Sequence, residues 1–280
     1  MPAAASPLTA AYDRLAAAFP GLTVTELGPA EEAPAGAGWV AAAGLAAGGA
    51  ALGAFLAWDA AQVVRDHGHP ARPDVVASFG LHRYAWPACL LITVPWFLHR
   101  RVPRLPVTHV SYDRTAGRMA VRRPVSVACL PGDPAAAVPG TVVVADEEAL
   151  RAEVRAAVAE HLEPVLAAFG PRMRRRGRAL WGMATDEVVE GLWYVARLWG
   201  EEEAERAVRE LGLLLPGATL PYAGSAGFRT LTGPDGTPLR SRDRASCCMF
   251  YTVRPEDTCA TCPRTCDRDR ITKAASLAVA

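Results

Sequence analysis

Five of the seven cysteines in this chain lie between Ser246 and Cys266. Cys247 and Cys248 are adjacent, and ten residues later Cys259 and Cys262 form a C-x-x-C turn. Scattered cysteines rarely produce such a run. Thiolates gather where soft ligands must hold zinc or an iron–sulfur core. A C-x-x-C turn brings two sulfurs to one centre and leaves backbone amides free to donate to them. Four thiolates satisfy either an all-cysteine zinc site or a [2Fe–2S] cluster. Zinc pairs generally keep two or more residues between their cysteines. Directly adjacent cysteines serve a larger dinuclear core more easily than one tetrahedral ion. Spacing alone leaves both options open, with the dinuclear core ahead.

The pattern C-C-x10-C-x2-C, set between Arg244-Ala245-Ser246 and Pro263-Arg264, resembles the FhuF-type ferric-siderophore reductases. Fainter similarities run from Val76-Ala77-Ser78 through Tyr84 to Leu105-Pro106, and from His161-Leu162-Glu163-Pro164 to Leu180-Trp181-Gly182. Only the last forty or so residues carry the specific pattern. The resemblance implies that Cys247, Cys248, Cys259 and Cys262 ligate a [2Fe–2S] cluster. It also implies a cytoplasmic protein that reduces ferric siderophores to release iron. Hard anionic oxygens hold Fe3+ far better than Fe2+, so one added electron loosens the cage. All-thiolate plant-type clusters sit near roughly −400 mV, low enough to be useful donors.

Cys266 is extra to the pattern and reads as a bystander, because four thiolates complete the core. Cys89 and Cys129 sit in apolar runs and read as small buried hydrophobes. Tyr251 and Arg264 flank the ligands and are candidates for tuning the cluster. No G-x-G-x-x-G follows a strand and no flavin signature is present, so an external ferredoxin or flavoprotein reductase is the expected electron donor. Gly224-Ser225-Ala226-Gly227 lacks the spacing of a nucleophile elbow. His161 and Glu163 do not make H-E-x-x-H. His67 and His69 read as a solvated loop. Arg172, Arg174, Arg175, Arg176 and Arg178 read as a solvated basic face, with attraction of an anionic siderophore or acidic ferredoxin as the functional alternative. Two other functions fit the cysteines: a non-catalytic interaction module stapled by zinc, and an electron carrier of another pathway.

The elements that position these residues must come from 280 residues, 51% hydrophobic and 21% charged, with a net charge of +1. That balance gives a packed core and argues against a dedicated nucleic-acid or polybasic membrane protein. An odd cysteine count with no basic-apolar leader points to a reducing compartment. Gly36 to Trp58 carries no charged residue but is mostly Ala and Gly, and Ala85 to Leu98 is short for a span. Both are expected to be buried helices, with peripheral membrane contact left open. Helical periodicity covers Leu8 to Phe19 and most of the chain to Arg101. Alternation from Val107 to Tyr112 and a return over Met119 to Arg123 predict an antiparallel pair, with Thr141 to Val144 as a third strand. Asp146 caps a long helix. Helices are expected over Glu187 to Trp199 and Glu202 to Leu214, where Trp181, Trp193, Tyr194 and Trp199 serve the core. Phe228 to Thr232 and Thr237 to Arg240 predict a hairpin. The expected fold is α+β, predominantly helical with a small antiparallel β-sheet. Its regions are 1–145, helical with a β-hairpin, and 146–280, helical and ending in the cluster-binding segment 228–266.

Overall fold

Proline and glycine set the helix boundaries in a computed structural model that describes residues 6–28, 30–217 and 219–278. Helix α1 (Thr9–Ala18) buries Ala11, Tyr12 and Leu15 on one face. Strands β1 (Thr23–Leu27) and β2 (Trp39–Ala41) follow. The uncharged stretch from Gly36 to Trp58 is not one helix. Gly48 and Gly49 take positive φ, 72° and 57°, which glycine tolerates without strain. They divide it into α2 (Ala42–Ala47) and α3 (Gly49–His67). Helix α3 stops at Gly68, a left-handed C-cap with φ of 76°.

Helix α4 (Pro73–His99) starts on a proline, whose missing N–H is an unpaired position there anyway. It is buried almost all round from Val75 to Phe97 and contains the apolar run from Ala85 to Leu98. By length and composition it is the one helix among the described residues that could cross a bilayer, yet 78% of that apolar window is buried inside the protein. It packs against α1, α3, α5 and α6 as the central helix of the core.

Strands β3 (Arg101–Pro103), β4 (Val110–Asp113), β5 (Arg118–Arg122), β6 (Val127–Cys129) and β7 (Thr141–Val143) follow. Val107–His109 is a 3-10 turn, so the predicted alternating strand begins only at Val110. One sheet has the order β1-β5-β4-β2 and another β3-β6-β7. The antiparallel pairs β4–β5, β2–β4 and β3–β6 are joined by two parallel ones, β1–β5 and β6–β7. Sequence alternation registers neither parallel pair: β5 lies far along the chain from β1, and β6 reaches β7 through the 3-10 turn Pro134–Ala137.

Helix α5 (Glu147–Met173) is capped by the Asp146 carboxylate, which accepts from the Ala149 amide at 2.8 Å. Helix α6 (Gly177–Leu198) begins a full ten residues before the expected start at Glu187, and α7 (Glu201–Leu214) follows. The predicted hairpin forms as β8 (Phe228–Thr232) and β9 (Pro238–Arg242), and α8 (Asp267–Ala278) ends the described chain. The main core runs from Leu8 to Ala226 and is shared by both sequence regions. A second, small apolar cluster of Val63, Val75, Met249 and Val253 docks the cysteine segment onto α3 and α4.

Candidate metal centre

Two carboxylates on α6, one helical turn apart, shape the chain on both sides of the cysteines. Asp186 is fully buried. It accepts from the amides of Ala245 (2.9 Å) and Ser246 (2.8 Å), from the Ser246 hydroxyl (2.8 Å) and from the Arg242 guanidinium (2.7 Å). Each is a charge-assisted bond, and together they fix the turn that presents Cys247 and Cys248. Glu190 accepts from Arg242 and from the Thr261 hydroxyl, both at 2.9 Å, and so reaches into the Cys259–Cys262 turn. Gly182 lets α6 come this close: a Cβ there would sit 3.1 Å from the Ala245 carbonyl.

Helices α4 and α8 complete the frame. Ser78 on α4 donates to the Cys248 carbonyl at 3.0 Å. One turn on, His82 Nδ1 lies 2.7 Å from the buried Glu187 carboxylate, whose charge holds the imidazole above its ordinary value. Arg270 on α8 is buried and donates to the carbonyls of Cys262, Thr265 and Arg242 at 2.8–3.0 Å. Lys273 on the same helix donates to the Thr258 carbonyl. The cysteine segment itself has little regular structure. Met249 sits at φ of 65°, Phe250–Thr252 is a 3-10 turn, and the Cys262 amide donates to the Cys259 carbonyl at 3.0 Å.

The four cysteines lie close enough to influence one another's ionisation, Cys247 with Cys248 and Cys262, and Cys259 with Cys248 and Cys262. The hydrogen bond from Cys259 pushes the Cys248 thiol below its ordinary value, helped by the Phe250 amide, Arg244 and His82. The same hydrogen bond and burial push Cys259 up. Burial raises Cys247, whose sulfur also receives the Met249 amide at 3.4 Å. Among the described residues, no three His, Cys, Asp or Glu side chains converge as one metal ion needs. Four neighbouring thiols are the donor set of a [2Fe–2S] core. Amides at Met249 and Phe250 are in place to donate to the sulfurs, a recognised influence on cluster potential.

Other expected residues fall as follows. Cys266 is exposed, and Cys89 and Cys129 are buried. Tyr251 and Arg264 come together: the guanidinium lies 4.2 Å from the ring centroid and ties the first cysteine turn to the second. Arg172, Arg174, Arg176 and Arg178 are exposed. Trp193 is buried, whereas Tyr194 is 41% exposed. His69 is exposed, but His67 is the last residue of α3 rather than a loop residue, and it packs edge-on against Phe250. Sequence reasoning missed Ser78, His82, Asp186, Glu190 and Arg270. The available signal was the pair of carboxylates at i and i+4 in an apolar helix, together with Ser78 and His82 at the same spacing.

Residues 244–264 match the family model described as FhuF 2Fe-2S C-terminal domain. No curated protein and no solved structure matches the chain. The match spans the Cys247–Cys248 turn, the Cys259–Cys262 turn and the Arg264 that braces them. The C-terminal segment of this chain is accordingly similar to the FhuF 2Fe-2S C-terminal domain, and its cysteine arrangement supports a [2Fe–2S] cluster.

Proposed function

We propose that this protein is a ferric-siderophore reductase, taking one electron at a time from an external ferredoxin or flavoprotein and passing it to Fe3+ held by oxygen ligands. The observation that carries this reading is the gathering of the four cysteines at the surface. Cys247, Cys248, Cys259 and Cys262 would hold the cluster, and three of the four are partly exposed. A [2Fe–2S] cluster bound there supplies reversible one-electron chemistry. The chain's own residues do the rest. Asp186, Glu190 and Arg270 hold both cysteine turns in place before and after electron transfer. The apolar docking of Met249 and Val253 onto Val63 and Val75 keeps water from the rear of the segment.

The test is a visible spectrum of anaerobically purified protein before and after dithionite, with iron and zinc quantified. The expected protein is brown, holds about two irons per chain and bleaches on reduction. Adding a ferric siderophore to the reduced protein should restore the colour and yield Fe2+. Colourless protein with stoichiometric zinc, even after attempted cluster reconstitution, would reject the proposal. Reduced protein that stays bleached beside ferric siderophores would leave an electron carrier of another pathway.

A further inference from the structure

Arg172, Arg174, Arg175, Arg176 and Arg178 crowd the turn from α5 to α6. All but the half-buried Arg175 are exposed, and among the described residues none of the five side chains makes an ion pair or a hydrogen bond. The backbone of the turn is fixed. Arg174 takes a left-handed φ of 54°, and the Arg175 amide donates to the Gly170 carbonyl at 3.1 Å. Arginines at the end of α5 suit the negative pole of that helix. Arg176 and Arg178 have no such local reason. They stand at the N-cap and in the first turn of α6, a positive pole, and that turn holds no acidic residue.

Two helices carry this basic turn to the edge of the cysteine segment. Along α6, Arg178, Gly182, Asp186 and Glu190 follow at intervals of four and share a face. Gly182 meets Ala245, Asp186 holds Ser246 and Glu190 holds Thr261, so Arg178 continues that row by one turn. At the start of α4, Asp74 lies within electrostatic range of Arg174, and the next residue, Val75, packs with Met249 and Val253. The other charges nearby are matched. Glu256 pairs with Arg254, Asp257 with Lys273, Asp267 with Arg229, Asp269 with Arg268 and Asp74 with Arg72. Asp186, Glu187 and Glu190 are matched by Arg242, Arg244 and His82. Four thiolates and two sulfides around two Fe3+ give a bound cluster a net charge of about −2. The basic turn therefore sets uncompensated positive charge beside a negative redox centre. It contains no aromatic residue to stack bases, and its large apolar side chain, Met173, is buried rather than free to enter a bilayer.

We infer that the turn 172–178 is the docking surface for an acidic one-electron donor protein. Its carboxylates meet the exposed guanidinium groups, and its redox centre is thereby turned toward the Cys247–Cys248 side of the segment. Complementary charge raises the rate of encounter and fixes orientation. The step is balanced: the reduced donor gives up one electron, the oxidised cluster gains it, and no bond or proton moves. This inference rests on the reductase reading for the electron's destination, but docking is measured without turnover.

The probe is an acidic flavodoxin. Its oxidised form is titrated onto the cluster-loaded protein by surface plasmon resonance, and its hydroquinone is mixed with the oxidised protein in a stopped-flow cell, where the flavin semiquinone reports each electron given up. The double variant Arg176→Glu/Arg178→Glu is expected to bind and to accept electrons about tenfold more weakly or more slowly at low ionic strength. The difference should fade toward about 0.5 M salt. Because both changes place acids at the N-terminus of α6, this variant should melt no lower than the wild type. Arg172→Gln/Arg174→Gln, which leaves α6 untouched, should show a smaller loss in the same direction. Arg123→Glu/Arg209→Glu changes net charge at two other exposed arginines and should behave as the wild type. Methyl viologen radical, a small cation, should reduce every variant at least as fast as the wild type. Basic-turn variants that match the wild type, or an equal loss in the Arg123→Glu/Arg209→Glu control, would show that the turn is not the docking surface. So would a wild type that binds no flavodoxin at low ionic strength, or variants that lose only binding to phosphatidylglycerol vesicles. Docking that depends on the turn, in a wild type that never reduces ferric siderophores, would retain the surface and reject the reductase reading. Ferric-siderophore reduction undiminished in both basic-turn variants, with unchanged flavodoxin binding, would do the reverse.

Discussion

At the residue scale, the cysteines divide sharply by position. Cys247, Cys248, Cys259 and Cys262 lie together and are buried or partly buried, whereas Cys266 is exposed. Replacing any of the four with Ser is expected to abolish the two-iron spectrum, while Cys266→Ser should hold wild-type iron. Iron per chain after anaerobic purification checks this, and a Cys266→Ser protein without iron would make Cys266 a ligand. His161 is a second isolated case. It is fully buried, with Nδ1 2.6 Å from the Leu105 carbonyl and Nε2 2.7 Å from the Tyr84 hydroxyl. This geometry has Nδ1–H donating and Nε2 accepting, a neutral ring. Burial holds its pKa below the ordinary 6.5. The unfolded chain therefore binds a proton that the folded chain refuses as pH falls below that value. The stability contribution is complete above about pH 6.5 and is lost on acidification. Thermal midpoints of wild type and His161→Gln should converge as pH drops from about 7.5 to 5. A constant gap between them would show that His161 does not titrate with unfolding.

At the scale of elements, α6 is the part that makes a cysteine-rich loop into a site. Asp186 accepts from two backbone amides and neutralises the fully buried Arg242. Removing Asp186 leaves the Ala245 and Ser246 amides without an acceptor while Glu190 still pairs with Arg242, at about 1–3 kcal/mol for each group left unpaired. Asp186→Ala should therefore lower the free energy of unfolding, measured by denaturant titration, by about 3 kcal/mol or more and lower iron retention as well. Thr261→Val is milder, because Glu190 keeps Arg242. It should cost about 1 kcal/mol and speed iron loss to a chelator, read from the decay of the visible spectrum. Unaltered iron loss in both variants would mean that α6 does not support the cysteine turns.

For the whole molecule, the site lies on a rigid core but does not contribute to it. The main core ends at Ala226, and the cysteine segment attaches through a small apolar cluster and polar bonds. Removing the cluster with a chelator and reductant should leave the far-UV circular dichroism and the main unfolding transition almost unchanged. Limited trypsin digestion should then cut after Arg264 in the apo protein and spare the loaded one, since low local stability favours cleavage. Global unfolding of the apo protein would place the cluster inside the folding core.

The sequence by itself determined the cysteine pattern that the family model matches, the helix of α5 with its Asp146 cap, the β8–β9 hairpin and the burial of α4. Each depends on local spacing: C-C-x10-C-x2-C, a capping carboxylate, a Gly-Pro-Asp-Gly turn and an apolar run. Strand β1 was not legible, because its partner β5 lies about ninety residues on and pairs in parallel. The break at Gly48 and Gly49 was hidden among many glycines. The approach of the Cys247–Cys248 turn to the Cys259–Cys262 turn was decided only by the tertiary structure. So was the convergence of Asp186, Glu190, Ser78 and Arg270 around them. These groups come from α4, α6 and α8, and a carboxylate in an apolar helix does not reveal which distant amides it will accept from. The reason is physical: sequence spacing fixes which atoms can share a turn, while only packing decides which turns share a site.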